Sequence, residues 1–139
     1  MMDDILVSVA GPVSNFIVAT GALVLLGAIS LSSASGHALI MGLPGGFDTG
    51  ASDSVLTPVA MLLYSLMIIN IVLAVFNLIP IPPLDGSHVL RHFLSEPVRM
   101  VYDRIGFFAL LALVYLGGGL LSGLIRPFLR FYVSMLVKF

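Results

Sequence analysis

The stretch VFNLIPIPPLDGSHVL, residues 75–90, ends a long apolar run and brings three prolines, an aspartate and a glycine together. Each proline removes a backbone donor and disfavours the helical conformation in the residue before it, so a helix cannot continue through this stretch. Irregular backbone at membrane depth persists only where it is buried in protein or lines a wet cavity. We therefore expect an extended break in which Asp85 lies in a protected, non-helical pocket.

The composition indicates an integral membrane protein. Hydrophobic residues make up 59% of the chain and charged residues 9%, with a mean hydropathy of +1.14, whereas soluble domains are about 45–50% apolar and about 25% charged. The net charge of −1 gives no indication of a nucleic-acid partner. The chain contains no cysteine, which excludes disulfides, thiolate metal sites and a cysteine nucleophile. Any metal would need histidine or carboxylate ligands.

Three apolar runs are long enough to cross a membrane, which takes about 20 residues. They predict spans at residues 5–31, 55–79 and 105–125 within a single membrane domain covering residues 1–139. A short helix is expected after Gly86, and the basic, aromatic tail predicts an interfacial helix. The Gly- and Ser-rich segment 32–54, with Asp48 and Asp53, is predicted to be a loop. The expected fold is all-α, a polytopic α-helical membrane protein.

Two local interpretations of Asp85 stay open at this point. An aspartate before a glycine and a helix is a common N-cap, whose side chain satisfies backbone donors of the first turn. Alternatively, Asp85, His88 and His92 occupy positions i, i+3 and i+7, which lie on one face of a helix and could form a local metal site.

Two separated motifs resemble a known family. The Gly-Pro-x-x-Asn element of residues 11–15 and the Asn-x-x-Pro-x-Pro-x-Leu-Asp-Gly element from Asn77 to Gly86 are similar to elements of the site-2 proteases. These are intramembrane zinc metalloproteases, and the match covers most of the chain and looks most like the compact bacterial branch. The resemblance implies that Asp85 is the third protein ligand of a catalytic Zn²⁺. The other ligands in the family are the histidines of an H-E-x-x-H helix, whose glutamate acts as general base.

The resemblance also implies further site residues and a substrate class. Asn15 would lie near the scissile carbonyl and stabilise the oxyanion. Substrate-binding residues would be Asn77, Pro80, Pro82 and Gly86, in a segment where a transmembrane protein substrate is unwound before hydrolysis. The implied location is a bacterial cytoplasmic membrane. Three arginines between the second and third runs place Asp85 near its cytoplasmic side by the positive-inside rule: Arg91, Arg99 and Arg104.

The sequence departs from the family pattern in one respect. The 139 residues contain no H-E-x-x-H, and Glu96 is the one glutamate of the chain, so the zinc site is incomplete as written. We therefore interpret the chain as the carboxy-terminal part of a site-2 protease-like zinc metalloendopeptidase, separated from its catalytic helix. The alternative is a catalytically inactive membrane scaffold or binding module derived from that family, or a small transporter subunit.

Overall fold

The structure, a computed structural model, describes residues 2–46 and 55–139. Within these ranges it is helical and contains no strand, which confirms the predicted all-α class. The elements are α1 (Met2–Ser32), α2 (Ala34–Gly42), a 3₁₀ turn (Leu43–Gly45), α3 (Leu56–Asn77), α4 (Asp85–Arg91), α5 (Glu96–Leu116) and α6 (Gly118–Lys138).

Three of the described helices are long and apolar enough to cross a membrane: α1, α3 and α6. Many of their large apolar side chains point outward, and Leu6, Ile17 and Leu62 are each about two-thirds exposed, at 64%, 66% and 70%. Exposed apolar surface of this extent is unfavourable in water but matches the hydrocarbon core of a bilayer. The helices therefore point to a membrane protein.

The apolar residues 105–125 are divided between two helices. Helix α5 ends at Leu116 and α6 begins at Gly118, with Gly117 between them as the C-cap of α5. Its amide donates to the carbonyl of Leu113 at 2.9 Å. Glycine disfavours a helix interior by about 1 kcal/mol relative to alanine, and three consecutive glycines make this the weakest point of the run. The predicted third span thus covers the end of α5 and the start of α6, and the basic tail belongs to α6.

The segment predicted to be a loop contains helix α2, so the prediction was wrong for residues 34–42. Ser33 is the N-cap, and its hydroxyl oxygen accepts a hydrogen bond from the amide of Gly36 at 3.0 Å. The serines and glycines that suggested a loop thus include a capping residue, which stabilises a helix start. Asp48 and Asp53 lie outside the described residues.

The chain folds into two compact units. The first combines the amino-terminal residues up to Phe16 with Val72–Arg126, and the second combines Ile17–Ile71 with Pro127–Phe139. In the second unit the hydroxyls of Thr20 and Tyr132 are 2.9 Å apart, and most buried apolar side chains belong to it: Ala19, Ala22, Leu23, Leu26, Leu39, Ile40, Leu43, Ala60, Met67, Ile71, Tyr132 and Leu136. All candidate site residues belong to the first unit. The single domain over residues 1–139 stays a prediction.

Candidate functional site

The proline-rich segment between α3 and α4, residues 78–84, is a series of turns and bends. The predicted extended conformation was therefore wrong for the segment as a whole, and only Leu84, at its end, is described with extended backbone. The prolines have no amide hydrogen, so only the other amides of the segment need an acceptor. These amides donate to carbonyls a few residues earlier in the chain. The local hydrogen bonds are Ile79 N–H to Phe76 O (3.1 Å), Ile81 N–H to Ile79 O (2.9 Å) and Leu84 N–H to Ile81 O (2.9 Å). The Pro82–Pro83 peptide bond is cis. We call residues 78–84 the turn segment.

Asp85 is the first residue of α4, and the N-cap position belongs to Leu84. No side chain caps this helix start. The Asp85 side chain is half-buried, and its carboxylate has no hydrogen-bond or ion-pair partner within the part of the chain that the structure describes. The N-cap interpretation of Asp85 is therefore wrong, and the prediction that Asp85 is non-helical is wrong as well.

Gly11 of α1 faces the Asp85 carboxylate. A Cβ atom added at Gly11 would lie 2.5 Å from Asp85 Oδ2 and 3.5 Å from its Cγ. The two motifs that the sequence analysis connected therefore meet in space at these two residues. Asn15 follows Gly11 by four positions in the same helix and thus lies on the same face one turn further on; its side chain is half-buried.

Gly86 allows the backbone of α4 to lie close to the end of α3, because it has no side chain. A Cβ atom at Gly86 would collide with the Leu78 carbonyl and would lie 2.8 Å from the Ile79 carbonyl oxygen. In the same turn, the buried Ser87 donates its hydroxyl hydrogen to the Leu84 carbonyl at 2.7 Å. Glycine is needed here because backbone approaches backbone, and this approach fixes where α4 begins.

Helix α5 contacts the turn segment through two residues that the sequence analysis did not single out. The Tyr102 hydroxyl donates to the Pro80 carbonyl at 2.6 Å, and a Cβ atom at Gly106 would lie 2.6 Å from Pro82 Cβ and Cδ. Two features of the sequence could have indicated them. Residues four apart share a helix face, and an isolated glycine within a helix often marks a close packing contact.

The pKa of Tyr102 is raised above its ordinary value. Burial is the largest cause, the neighbouring Asp103 carboxylate adds to it, and the Arg91 guanidinium opposes it. Arg91 Nη2 is 2.7 Å from Asp103 Oδ2, with each side chain about one-third exposed. A tyrosine phenol is protonated at neutral pH even at its ordinary pKa, and the raised pKa extends the range in which Tyr102 is a hydrogen-bond donor to higher pH.

Asp85 and His88 line one cavity of about 270 Å³ together with three residues of α1: Asp4, Val7 and Ser8. His88 also lines a second cavity of about 250 Å³, which Asp4, Arg91, His92 and Arg99 share. Neither Asn15 nor Asn77 lines these cavities. Asn77 is the last residue of α3 and is half-buried.

The histidines do not complete a metal site with Asp85. Helix α4 ends at Arg91, so His92 lies beyond the helix as its C-cap. Among residues 2–46 and 55–139 there is no group of three histidine, aspartate or glutamate residues that could hold a metal ion. The local Asp-His-His interpretation was therefore wrong. A tetrahedral zinc site takes at least three protein ligands, and the described residues offer Asp85 without two partners.

Comparison with known proteins agrees with the two motifs. The sequence model of Peptidase family M50 matches residues 1–116. The chain is 36% identical over 96 residues to "Putative zinc metalloprotease YwhC" of Bacillus subtilis (strain 168). The aligned region covers 68% of this chain and 36% of that protein, so the chain spans about a third of its relative. No solved structure matches. Because the family match extends over most of the chain and includes both the Gly11 and Asp85 motifs, the chain belongs to peptidase family M50, the site-2 protease family.

Proposed function

We propose that the chain is the carboxy-terminal part of a site-2 protease-like zinc metalloendopeptidase that hydrolyses peptide bonds of transmembrane proteins. The contact between Gly11 and the Asp85 carboxylate supports this best, because it joins the two family motifs in one place. The carboxylate has no partner among the described residues. A carboxylate oxygen is a suitable ligand for a metal cation.

The described residues do not supply a complete set of zinc ligands, so we assign only holding and orienting roles to residues of this chain. Asp85 would provide one ligand, and the histidine pair would come from polypeptide outside these residues. Bound zinc supplies an activated water and polarises the scissile carbonyl. Asn15 carries an amide that can donate to a carbonyl oxygen, which suits it to orienting the scissile bond.

The substrate contacts would come from the turn segment and its flanks, namely Asn77, Pro80, Pro82 and Gly86. Of these, Pro80 is exposed and the other three are half-buried. We also propose that Asp85 lies near the cytoplasmic side of a bacterial cytoplasmic membrane. The bacterial relative and the three arginines after Asp85 support this placement: Arg91, Arg99 and Arg104.

Substitution Asp85→Asn tests the proposal. The chain is expressed together with an H-E-x-x-H helix, from its natural protein or from a family relative, and cleavage of a tagged transmembrane substrate is measured in membranes. The amide preserves size but loses the anionic charge that helps hold zinc. We expect cleavage to fall by more than about 100-fold, since even changes to groups that merely support a metal ligand cost about 10- to 100-fold.

The matched control is Asp3→Asn, the same chemical change at an exposed position in the first turn of α1. It should leave cleavage within about twofold, as surface substitutions usually change stability by less than about 0.5 kcal/mol. Near-normal cleavage by the Asp85→Asn protein would contradict the ligand assignment.

The second candidate function is a catalytically inactive membrane scaffold. The observation that favours it is that the described residues contain no three-ligand metal group. If the chain associates in membranes with each H-E-x-x-H helix supplied but cleavage is absent with all of them, the scaffold function is favoured over the protease.

A further inference from the structure

Helix α5 makes two contacts with the turn segment, one polar and one steric. Both come from the same face of the helix, since Tyr102 and Gly106 are four residues apart. Both end on prolines, Pro80 and Pro82, which lie between the end of α3 and Asp85. All of these residues belong to the first compact unit.

The hydrogen bond from Tyr102 satisfies a carbonyl that the local backbone leaves without a partner. In a continuing helix the Pro80 carbonyl would accept from the amide four residues later, which is Leu84. The Leu84 amide donates instead to Ile81 at 2.9 Å, and Pro82 and Pro83 have no amide hydrogen. The Tyr102 hydroxyl, 2.6 Å away, supplies the missing donor.

The contact at Gly106 is steric. Gly106 is buried, and an added Cβ would lie 2.6 Å from both Cβ and Cδ of Pro82 and 2.7 Å from its Cγ. A proline ring has no alternative rotamer that could move out of the way, and its φ angle is fixed. Any side chain at position 106 would therefore displace the turn segment or the helix.

We propose that Tyr102 and Gly106 are positioning residues that hold the turn segment against α5 and thereby fix the place of Asp85. The path from Pro82 to Asp85 is short and internally bonded. The Leu84 amide donates to the Ile81 carbonyl at 2.9 Å, and the Ser87 amide donates to the Leu84 carbonyl at 3.0 Å. A shift of the turn segment therefore moves the start of α4. The catalytic consequence of this role rests on the proposed function, whereas the mechanical role does not.

A single-cysteine experiment tests the mechanical role directly. The chain contains no cysteine, so Asp85→Cys introduces the only thiol. Its rate of alkylation by N-ethylmaleimide is measured in detergent, with and without Tyr102→Phe. We expect Tyr102→Phe to increase the rate by about 3- to 10-fold, the factor that corresponds to losing one hydrogen bond. Gly106→Ala should increase it as well.

Matched controls exist in the same unit. Tyr115→Phe removes a hydroxyl from the same helix at a position that is 82% exposed, and Gly119→Ala adds a Cβ where nothing lies within 4 Å. Both should leave the alkylation rate unchanged. If Gly106→Ala prevents folding, the Tyr102→Phe result alone tests the proposal, because this substitution removes only the hydroxyl and keeps the packing of the ring. Equal alkylation rates with and without Tyr102→Phe would overturn the proposal.

A second measurement separates this proposal from the proposed function. With native Asp85 and an added H-E-x-x-H helix, Tyr102→Phe should lower kcat for a transmembrane substrate about 3- to 10-fold, because the orientation of the ligand is altered. KM should change as well, because Pro80 and Pro82 are proposed substrate contacts and lie in the segment that shifts. Faster alkylation with unchanged kcat would support the mechanical role and contradict the ligand role of Asp85. Unchanged alkylation overturns the mechanical role whatever the cleavage rate.

Discussion

Gly11 and Gly86 have different environments. A Cβ there would meet the end of a side chain, the Asp85 carboxylate, whereas at Gly86 it would meet the backbone of Leu78. A side chain can rotate away from a new methyl group, but a backbone carbonyl cannot do so without moving the chain. The two glycines should therefore respond differently to the same substitution.

We expect Gly11→Ala to displace the carboxylate while leaving the fold intact. If Asp85 is the zinc ligand of the proposed function, cleavage with an H-E-x-x-H helix supplied should fall by at least about 10-fold, because displacing the ligand weakens metal binding by about 10- to 100-fold. The thermal unfolding midpoint in detergent should change little, because alanine also favours a helix interior by about 0.5–1 kcal/mol relative to glycine.

Gly21→Ala is the matched control for this substitution. It lies in the same helix α1, and nothing lies within 4 Å of its added Cβ. This protein should unfold at the same or a higher temperature and should cleave normally. Equal cleavage by the Gly11→Ala and Gly21→Ala proteins would show that the position of the Asp85 carboxylate does not matter.

At the scale of elements, the sequence predicted that α3 ends at the prolines but not the conformation of the segment that follows it. Prolines ended α3 near Asn77 as expected, because a missing amide and a fixed φ are local properties. The conformation of the turn segment depends on α5, which follows Asp85 in the sequence and contacts Pro80 and Pro82. Local propensity could not show that contact.

The raised pKa of Tyr102 gives an element-scale prediction. Burial holds the proton more tightly in the folded chain than in the unfolded one, so the stability this group contributes is complete below the unfolded pKa and is lost as pH rises through the folded pKa. The difference in unfolding midpoint between the native chain and Tyr102→Phe should therefore be constant from neutral pH to about pH 10 and decrease above it.

Neighbouring charges should move this transition in opposite directions. Asp103→Asn removes a charge that raises the Tyr102 pKa, and Arg91→Gln removes one that lowers it. The Tyr102 pKa is measured from tyrosinate absorbance, and the titration of the Tyr102→Phe protein is subtracted to remove the other three of the four tyrosines. The Tyr102 pKa should be lower in the Asp103→Asn protein and higher in the Arg91→Gln protein. Shifts of the same sign in both would contradict the assignment.

For the whole molecule, composition was sufficient to predict an all-α membrane protein, because few charges and long apolar runs leave no other class. The third apolar run was predicted as one helix, but Gly117 separates α5 from α6. Hydropathy is averaged over a window and does not detect a single break. For the site, motif resemblance indicated Asp85 and Gly11, while Tyr102 and Gly106 required the structure because their role is a contact across elements.

The course of α1 and α3 determines which loops share a side of the membrane, because each helix is long and apolar enough to cross it. If α1 and α3 each cross the bilayer once, Asp3 and Ser95 lie on the same side and Ser35 lies on the opposite side. Under the proposed orientation, which rests on the arginines that follow Asp85, Asp3 and Ser95 lie on the cytoplasmic side.

Cysteine labelling of spheroplasts measures this orientation, since the chain has no cysteine of its own. Three exposed positions are replaced one at a time: Asp3→Cys, Ser35→Cys and Ser95→Cys. A membrane-impermeant maleimide should label only the Ser35→Cys protein in intact spheroplasts, and all three after the membrane is opened. A permeant maleimide, which should label all three throughout, is the control for thiol reactivity. Labelling of Ser95→Cys from outside intact spheroplasts would reverse the orientation, and it would place the Asp85 end of the first unit on the extracytoplasmic side.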